Sequence, residues 1–149
     1  MAPADRASSL VVDAAPLVAA ADRGFPGRGH VQRILRDAQG PLLLPAPVSA
    51  EADYLLRTKI GRGAQRAFLA DLAAQRFEVT CMDAAAHARA AEIDRRHADL
   101  DLGLADLSLI VAAERHGTRM LLTFDERDLR AVQPLAGGTF TLLPADEQR

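Results

Sequence analysis

Cysteine is almost missing from this chain. Cys81 is the only one, so no intrachain disulfide can form and a multi-cysteine zinc site is excluded. Its neighbours Val79, Thr80 and Met82 read as the end of a buried strand, a poor setting for a catalytic thiol. Tryptophan is absent, and aromatic residues make up only 4% of the chain. The core must be built from Leu, Val, Ala and Ile, and stacking platforms of the kind RNA-binding sheets use are nearly lacking. Lysine occurs once, at Lys59, so 17 of the 18 basic residues are Arg. Arg grips phosphate with a two-pronged fork. The abundance of Ala beside it points to base-composition bias as the source of the excess. Neither sign of charge is in surplus: the net charge is −2, which steers the whole chain toward neither nucleic acid nor membrane. Long apolar runs are missing too. The run from Leu10 to Val12 is too short for a signal peptide, and no stretch without charges reaches membrane-spanning length. A soluble, cytoplasmic protein without membrane contact is expected.

What is there suits one domain: 149 residues, 49% of them hydrophobic. Residues 1–8 are small or polar and are expected to be a flexible N-terminus; residues 9–145 form the single domain. Short, continuously apolar segments alternate with helical patterns. Strands are predicted over 9–12, 42–44, 77–81, 119–124 and 139–143. Helices are predicted over 16–22, 30–39, 47–58 and 64–75, then from the Asp83 cap to 97 and over 104–116. A short helical turn follows over 125–132. Pro16 suits a first helical turn, Gly40 and Gly117 end helices, and Pro45 closes the second strand. This alternation predicts an α/β fold, a three-layer α/β/α sandwich around a parallel sheet of about five strands covered on both faces.

Four acids stand where acids are costly. Asp13 ends the run Leu10-Val11-Val12. Glu51 falls on the apolar stripe of its helix, with Val48, Ala52, Leu55 and Leu56. Asp106 interrupts an apolar stretch from Leu102 to Val111. Asp125 follows Leu121-Leu122-Thr123-Phe124. An isolated buried carboxylate is expensive. In open parallel sheets, ligands bind beyond the carboxyl ends of the strands. Asp13 and Asp125 each follow a strand, and Asp106 opens a helix, where the macrodipole favours an anion. Glu51 joins that rim if its helix begins where strand two ends. Gathered together, the acids repel one another, and a cation is the natural compensation. Each also has a local reading: Asp106 as a helix N-terminal acid, Asp125 as a cap, Glu51 as a partner of Arg57. Asp101 and Asp128 read as turn and surface residues.

In this order and context, Val11-Val12-Asp13-Ala14-Ala15, Val48-Ser49-Ala50-Glu51, the segment from Asp101 to Ser108, and Leu122-Thr123-Phe124-Asp125 resemble the PIN domain. Within it, the pattern is closest to VapC-type toxins of bacterial toxin–antitoxin pairs. The resemblance covers about 10–143. It implies a metal-dependent endoribonuclease that cleaves RNA at an acidic pocket holding Mg2+ or Mn2+. Asp13, Glu51, Asp106 and Asp125 match the family's four acids. It also implies a homodimer and a cognate antitoxin partner that blocks the pocket. The family often has Ser or Thr two residues after the first acid; here that position is Ala15. Thr123, two residues before Asp125, can reach the pocket and take part of that supporting role.

The basic residues Arg57, Lys59 and Arg62, and Arg127 and Arg130, lie near the proposed rim and could hold an RNA backbone or simply form a solvated face. His30, His87, His97 and His116 lack metal-ligand spacing, and Gly61-Arg62-Gly63 lacks the ending of a phosphate-cradling loop. Three other readings compete. A receiver-type signalling domain needs adjacent acids at the first strand and a late-sheet lysine, whereas Lys59 falls on a helix. A dehalogenase-type phosphatase needs an Asp at the position of Ala15. A degenerate PIN domain that binds RNA or a partner without cleavage keeps the fold and loses the chemistry.

Overall fold

A computed structural model of the protein describes residues 8–135 and 137–147. The expected loose N-terminus falls almost wholly on residues 1–7, outside the described residues. The strands are β1 (Leu10–Val12), β2 (Leu42–Pro45), β3 (Glu78–Thr80), β4 (Met120–Leu122) and β5 (Thr141–Leu143). The α-helices are α1 (Ala14–Ala21), α2 (Arg28–Asp37), α3 (Ala46–Leu55), α4 (Arg62–Ala73), α5 (Ala84–Arg96), α6 (Leu104–His116) and α7 (Glu126–Ala131). One π-helical turn, Leu56–Ile60, joins α3 to α4.

All five strands run parallel in the order β3-β2-β1-β4-β5. Every residue of β1 is buried, as are Leu43 and Leu44 of β2 and Leu121 and Leu122 of β4. Strands whose inward and outward residues are both dry must be covered on both faces, which is the α/β/α arrangement expected. In α6, the residues from Leu107 to Ala113 are all buried, so this helix is part of the core rather than an amphipathic cover. Gly117 closes it in the left-handed region, at φ 65°. Among the described residues no helix is long and apolar enough to cross a membrane.

The order has a consequence for function. The chain leaves β1 toward β2 on one side and returns to β4 on the other. The carboxyl ends of β1 and β4 therefore flank the point where the winding reverses, the place where ligands bind in such sheets.

Three local expectations need correction. Cys81 is exposed, not buried: β3 is an edge strand, and Glu78 and Val79 are exposed as well. Helix α2 ends at Asp37 rather than at Gly40. Gly40 has another task, because a Cβ there would stand 2.7 Å from the Ser8 carbonyl oxygen and 2.6 Å from its Oγ. It is Gly to let two backbone segments touch. Finally, α1 begins at Ala14, ahead of Pro16, because Asp13 itself caps the helix.

Candidate metal centre

Strand pairing sets the first acid. The Asp13 N–H donates to the Leu122 carbonyl at 2.9 Å, which holds the end of β1 against the end of β4. Asp13 is only 9% exposed. Its Oδ1 accepts from the Ala14 N–H at 2.8 Å, and its Oδ2 accepts from Thr123 Oγ1 at 2.8 Å. Thr123 Oγ1 in turn accepts from the Asp125 N–H at 3.1 Å. One buried hydroxyl thus ties the first acid to the fourth. This is the supporting role expected of Thr123, and it falls to a residue 110 positions from Asp13.

Asp125 caps α7, its Oδ1 accepting from the Asp128 N–H at 3.3 Å. Asp106 lies in the first turn of α6 and its Oδ2 accepts from the Gly103 N–H at 3.1 Å. Glycine has no side chain to return the bond, so only the acidic half of a capping box exists. Both local readings therefore hold, and both occupy a single carboxylate oxygen. Glu51 departs from expectation: it is exposed, on the flank of the stripe formed by Val48, Ala52 and Leu56. The helical period of 100° per residue places it beside Val48 rather than between the buried positions.

Electrostatics joins the four. Burial raises the pKa of Asp13, against the hydrogen bonds from Thr123 and Ala14, and the charge of Asp125 raises it further. Burial likewise raises Asp106, opposed by the Gly103 N–H and reinforced by the charges of Asp13, Asp125 and Asp128. Glu51, exposed but partly shielded from water, is raised first by that desolvation and then by the charges of Asp13 and Asp106. Every pair among the four is coupled except Glu51 and Asp125. Asp128, read from sequence as a surface residue, acts on the same group. Its place three residues into the helix that Asp125 opens was the available signal.

Among the described residues, none of the four forms an ion pair with Arg, Lys or His. Glu51 does not pair with Arg57, the local alternative. The grouping is looser than a closed cage: no three His, Cys, Asp or Glu side chains among the described residues stand ready to hold one ion. Magnesium keeps several waters and takes one or two carboxylates directly, so it does not require such a cage. Negative charges partly removed from water, coupled and without a basic partner, are the donor chemistry that suits a hard divalent cation.

The expected basic rim divides. Arg130 is held by Asp146 and Glu126 and is not free to grip RNA. Arg57, Lys59, Arg62 and Arg127 are exposed and form no ion pair among the described residues.

Fold and site together define an α/β domain with a group of coupled acids at the switch point of a parallel sheet. The PIN domain family model matches residues 10–133, and the chain belongs to that family. Its likeness to Ribonuclease VapC26 of Mycobacterium tuberculosis is 34% identity over 135 residues, covering 91% of this chain and all of that protein. This puts it in the VapC branch of the family. Two solved structures share the fold. One is the M. tuberculosis toxin VapC20, described as Sarcin-Ricin loop cleaving, with TM-score 0.74 and 20% identity over 82% of this chain and 94% of that one. The other is VapBC2 from Rickettsia felis bound to a DNA fragment from their promoter, with TM-score 0.65 and 14% identity over 90% of this chain and 98% of that one.

Proposed function

We propose that this protein is a divalent-metal-dependent endoribonuclease acting as the toxin of a toxin–antitoxin pair. The observation that carries the reading is the mutually repelling acid group at the switch point, with no ion pair to a basic side chain among the described residues, in a chain 34% identical to a VapC ribonuclease. Asp13 and Asp106 are the acids suited to touch Mg2+ or Mn2+ directly. Glu51 and Asp125 act through bound waters or orient the attacking water. A bound divalent cation neutralises phosphate charge and lowers the pKa of its water. The protein's own part is to keep the carboxylates ionised and aimed. Thr123 does this for Asp13 and the Gly103 N–H for Asp106, while the Asp128 N–H aims the Asp125 carboxylate. Thr123 supplies the hydroxyl support that Ala15 lacks.

The partners follow from the same reading: RNA as substrate, a second copy of the chain, and a cognate antitoxin covering the acidic pocket. The VapBC neighbour supports an antitoxin partner.

The test is cleavage of total RNA by the purified protein with Mg2+, with Mn2+, and in chelator. Cleavage should need the cation. Asp13→Asn should lower the rate roughly 100-fold or more while the circular dichroism spectrum is unchanged. Wild-type rates from Asp13→Asn would defeat the assignment. RNA binding without cutting under every metal condition would establish the degenerate, binding-only reading instead.

A further inference from the structure

Aromatic side chains are scarce here, and most are occupied. Phe25 stacks on Phe124 with centroids 5.8 Å apart, Phe68 meets Phe77 at 6.2 Å, and Phe140 is buried. Tyr54, the only tyrosine, is 58% exposed. It lies one helical turn beyond Glu51, so the two side chains are neighbours on the surface of α3. The Arg57 guanidinium carbon stands 5.7 Å from the Tyr54 ring centroid, a cation–π contact that holds both groups.

The chain from Tyr54 to Arg66 carries Arg57, Lys59, Arg62 and Arg66 and no acid. None of these four cations forms an ion pair among the described residues, whereas Arg89, Arg115 and Arg130 are each tied to a carboxylate. Arg57 and Lys59 sit on the π turn, a form that recurs at functional sites. Gly61 ends that turn at φ 141°, a conformation open to glycine, and its N–H donates to the Leu56 carbonyl at 2.8 Å. Gln65 braces the segment by donating to Asp53 Oδ1 at 2.9 Å.

We propose that this segment is the RNA-gripping arm of the site. Tyr54 stacks one base of the strand beside the cut phosphate, and Arg57, Lys59 and Arg62 hold the backbone that continues from it. The inference rests on the ribonuclease reading and extends it to substrate placement. Base stacking on an aromatic tolerates any sequence, so the arm fixes where the strand lies rather than which bases it carries. It also revises what composition suggested: apart from Phe124, which is stacked on Phe25, one exposed ring stacked on no other aromatic exists, and it stands next to Glu51.

The experiment measures fluorescence anisotropy of a labelled single-stranded RNA of about ten mixed nucleotides. It is run in chelator, where cleavage is silent, on wild type, Tyr54→Ala, Tyr54→Leu, Tyr54→Phe and Arg57→Ala. Light scattering gives the mass of each variant, and Mg2+ assays give KM and kcat. Tyr54→Ala and Tyr54→Leu should bind about tenfold more weakly and Tyr54→Phe like wild type. Arg57→Ala should reduce the slope of log K against log salt by about 0.7. KM should rise with kcat little changed. Unaltered RNA affinity in Tyr54→Ala and Tyr54→Leu overturns the arm, as does a change in oligomer mass alone, which would assign this face to a protein interface. If wild type cleaves and the Tyr54 variants match it, only the arm falls. If wild type neither binds nor cleaves RNA, the ribonuclease reading falls first.

Discussion

Replacing Thr123 by Val removes one oxygen atom and little volume, yet it should disturb the site more than most core changes. Thr123 is 1% exposed, and its hydroxyl makes two buried contacts, to Asp13 Oδ2 at 2.8 Å and from the Asp125 N–H at 3.1 Å. A hydrogen bond to a charged group contributes about 1.5–3 kcal/mol and a neutral one about 1 kcal/mol. Losing both gives a destabilisation of about 2–4 kcal/mol near neutral pH. For a chain of this size that lowers Tm by roughly 5–15 °C.

The pH dependence sharpens the prediction. The folded-state pKa of Asp13 is already raised by burial, and Thr123 is the first of the contacts that lower it. A carboxyl with a raised folded pKa favours folding below its unfolded value, and that contribution is lost as pH rises through the folded value. Without the hydroxyl, the folded pKa of Asp13 moves further up. The penalty should then be larger at about pH 8 than at about pH 4, near the unfolded value and below the raised folded one, where protonation spares Asp13 its share of the loss. Urea unfolding in chelator at both pH values measures this, with an unchanged m-value as the check on two-state behaviour. Thr123→Ser should stay near wild type. A cycle with Asp13→Asn should give a coupling of at least about 1 kcal/mol. Equal stability of Thr123→Val and wild type at both pH values would refute the claim that this hydroxyl keeps the first acid charged.

Asp106→Asn keeps an acceptor for the Gly103 N–H but removes charge from the acid group. In chelator its Tm should equal or exceed wild type, with the gain growing as pH rises through the raised Asp106 pKa; a clear drop would mean the helix-terminal charge dominates. Saturating Mg2+ or Mn2+ should raise the wild-type Tm, by about 2.7 kcal/mol of stabilisation at a hundred times Kd, and leave Asp13→Asn almost unmoved; calorimetric scans with and without cation decide it. Gly40→Ala should destabilise by about 1–3 kcal/mol, because its Cβ meets the Ser8 carbonyl at 2.7 Å; unfolding midpoints unchanged from wild type would remove that explanation.

The central strands were legible because dry strands leave continuous apolar runs, and β1, β2 and β4 are such runs. The edge was not. Nothing local distinguishes Val79-Thr80-Cys81 at an open edge from the same residues inside a sheet; strand order decides it, and strand order is a long-range property. The same limit applies to side chains. Thr123 could be placed near the pocket, but which acid it serves depends on β1 lying beside β4. Arg130 looked available because its partner Asp146 comes from beyond β5. The π turn left no mark at all, since its residues read as the end of an ordinary helix.

The local roles of these acids do not compete with the proposed one. A helix cap needs one acceptor oxygen, and Ser, Thr or Asn supplies it without adding charge to a crowded site. Asp106 and Asp125 each give one oxygen to a cap and keep the other. Helix dipoles reward such charges by about 0.3–1 kcal/mol each at exposed ends. That reward is earned equally at any helix start and does not explain why two such acids share a rim with Asp13 and Glu51, in a group where burial and mutual repulsion raise the pKa of three members. What capping leaves unexplained is the concentration of charge at one point. On the proposed reading, a site that attracts a divalent cation and then a phosphate would require that concentration and would use the caps to hold the carboxylates still.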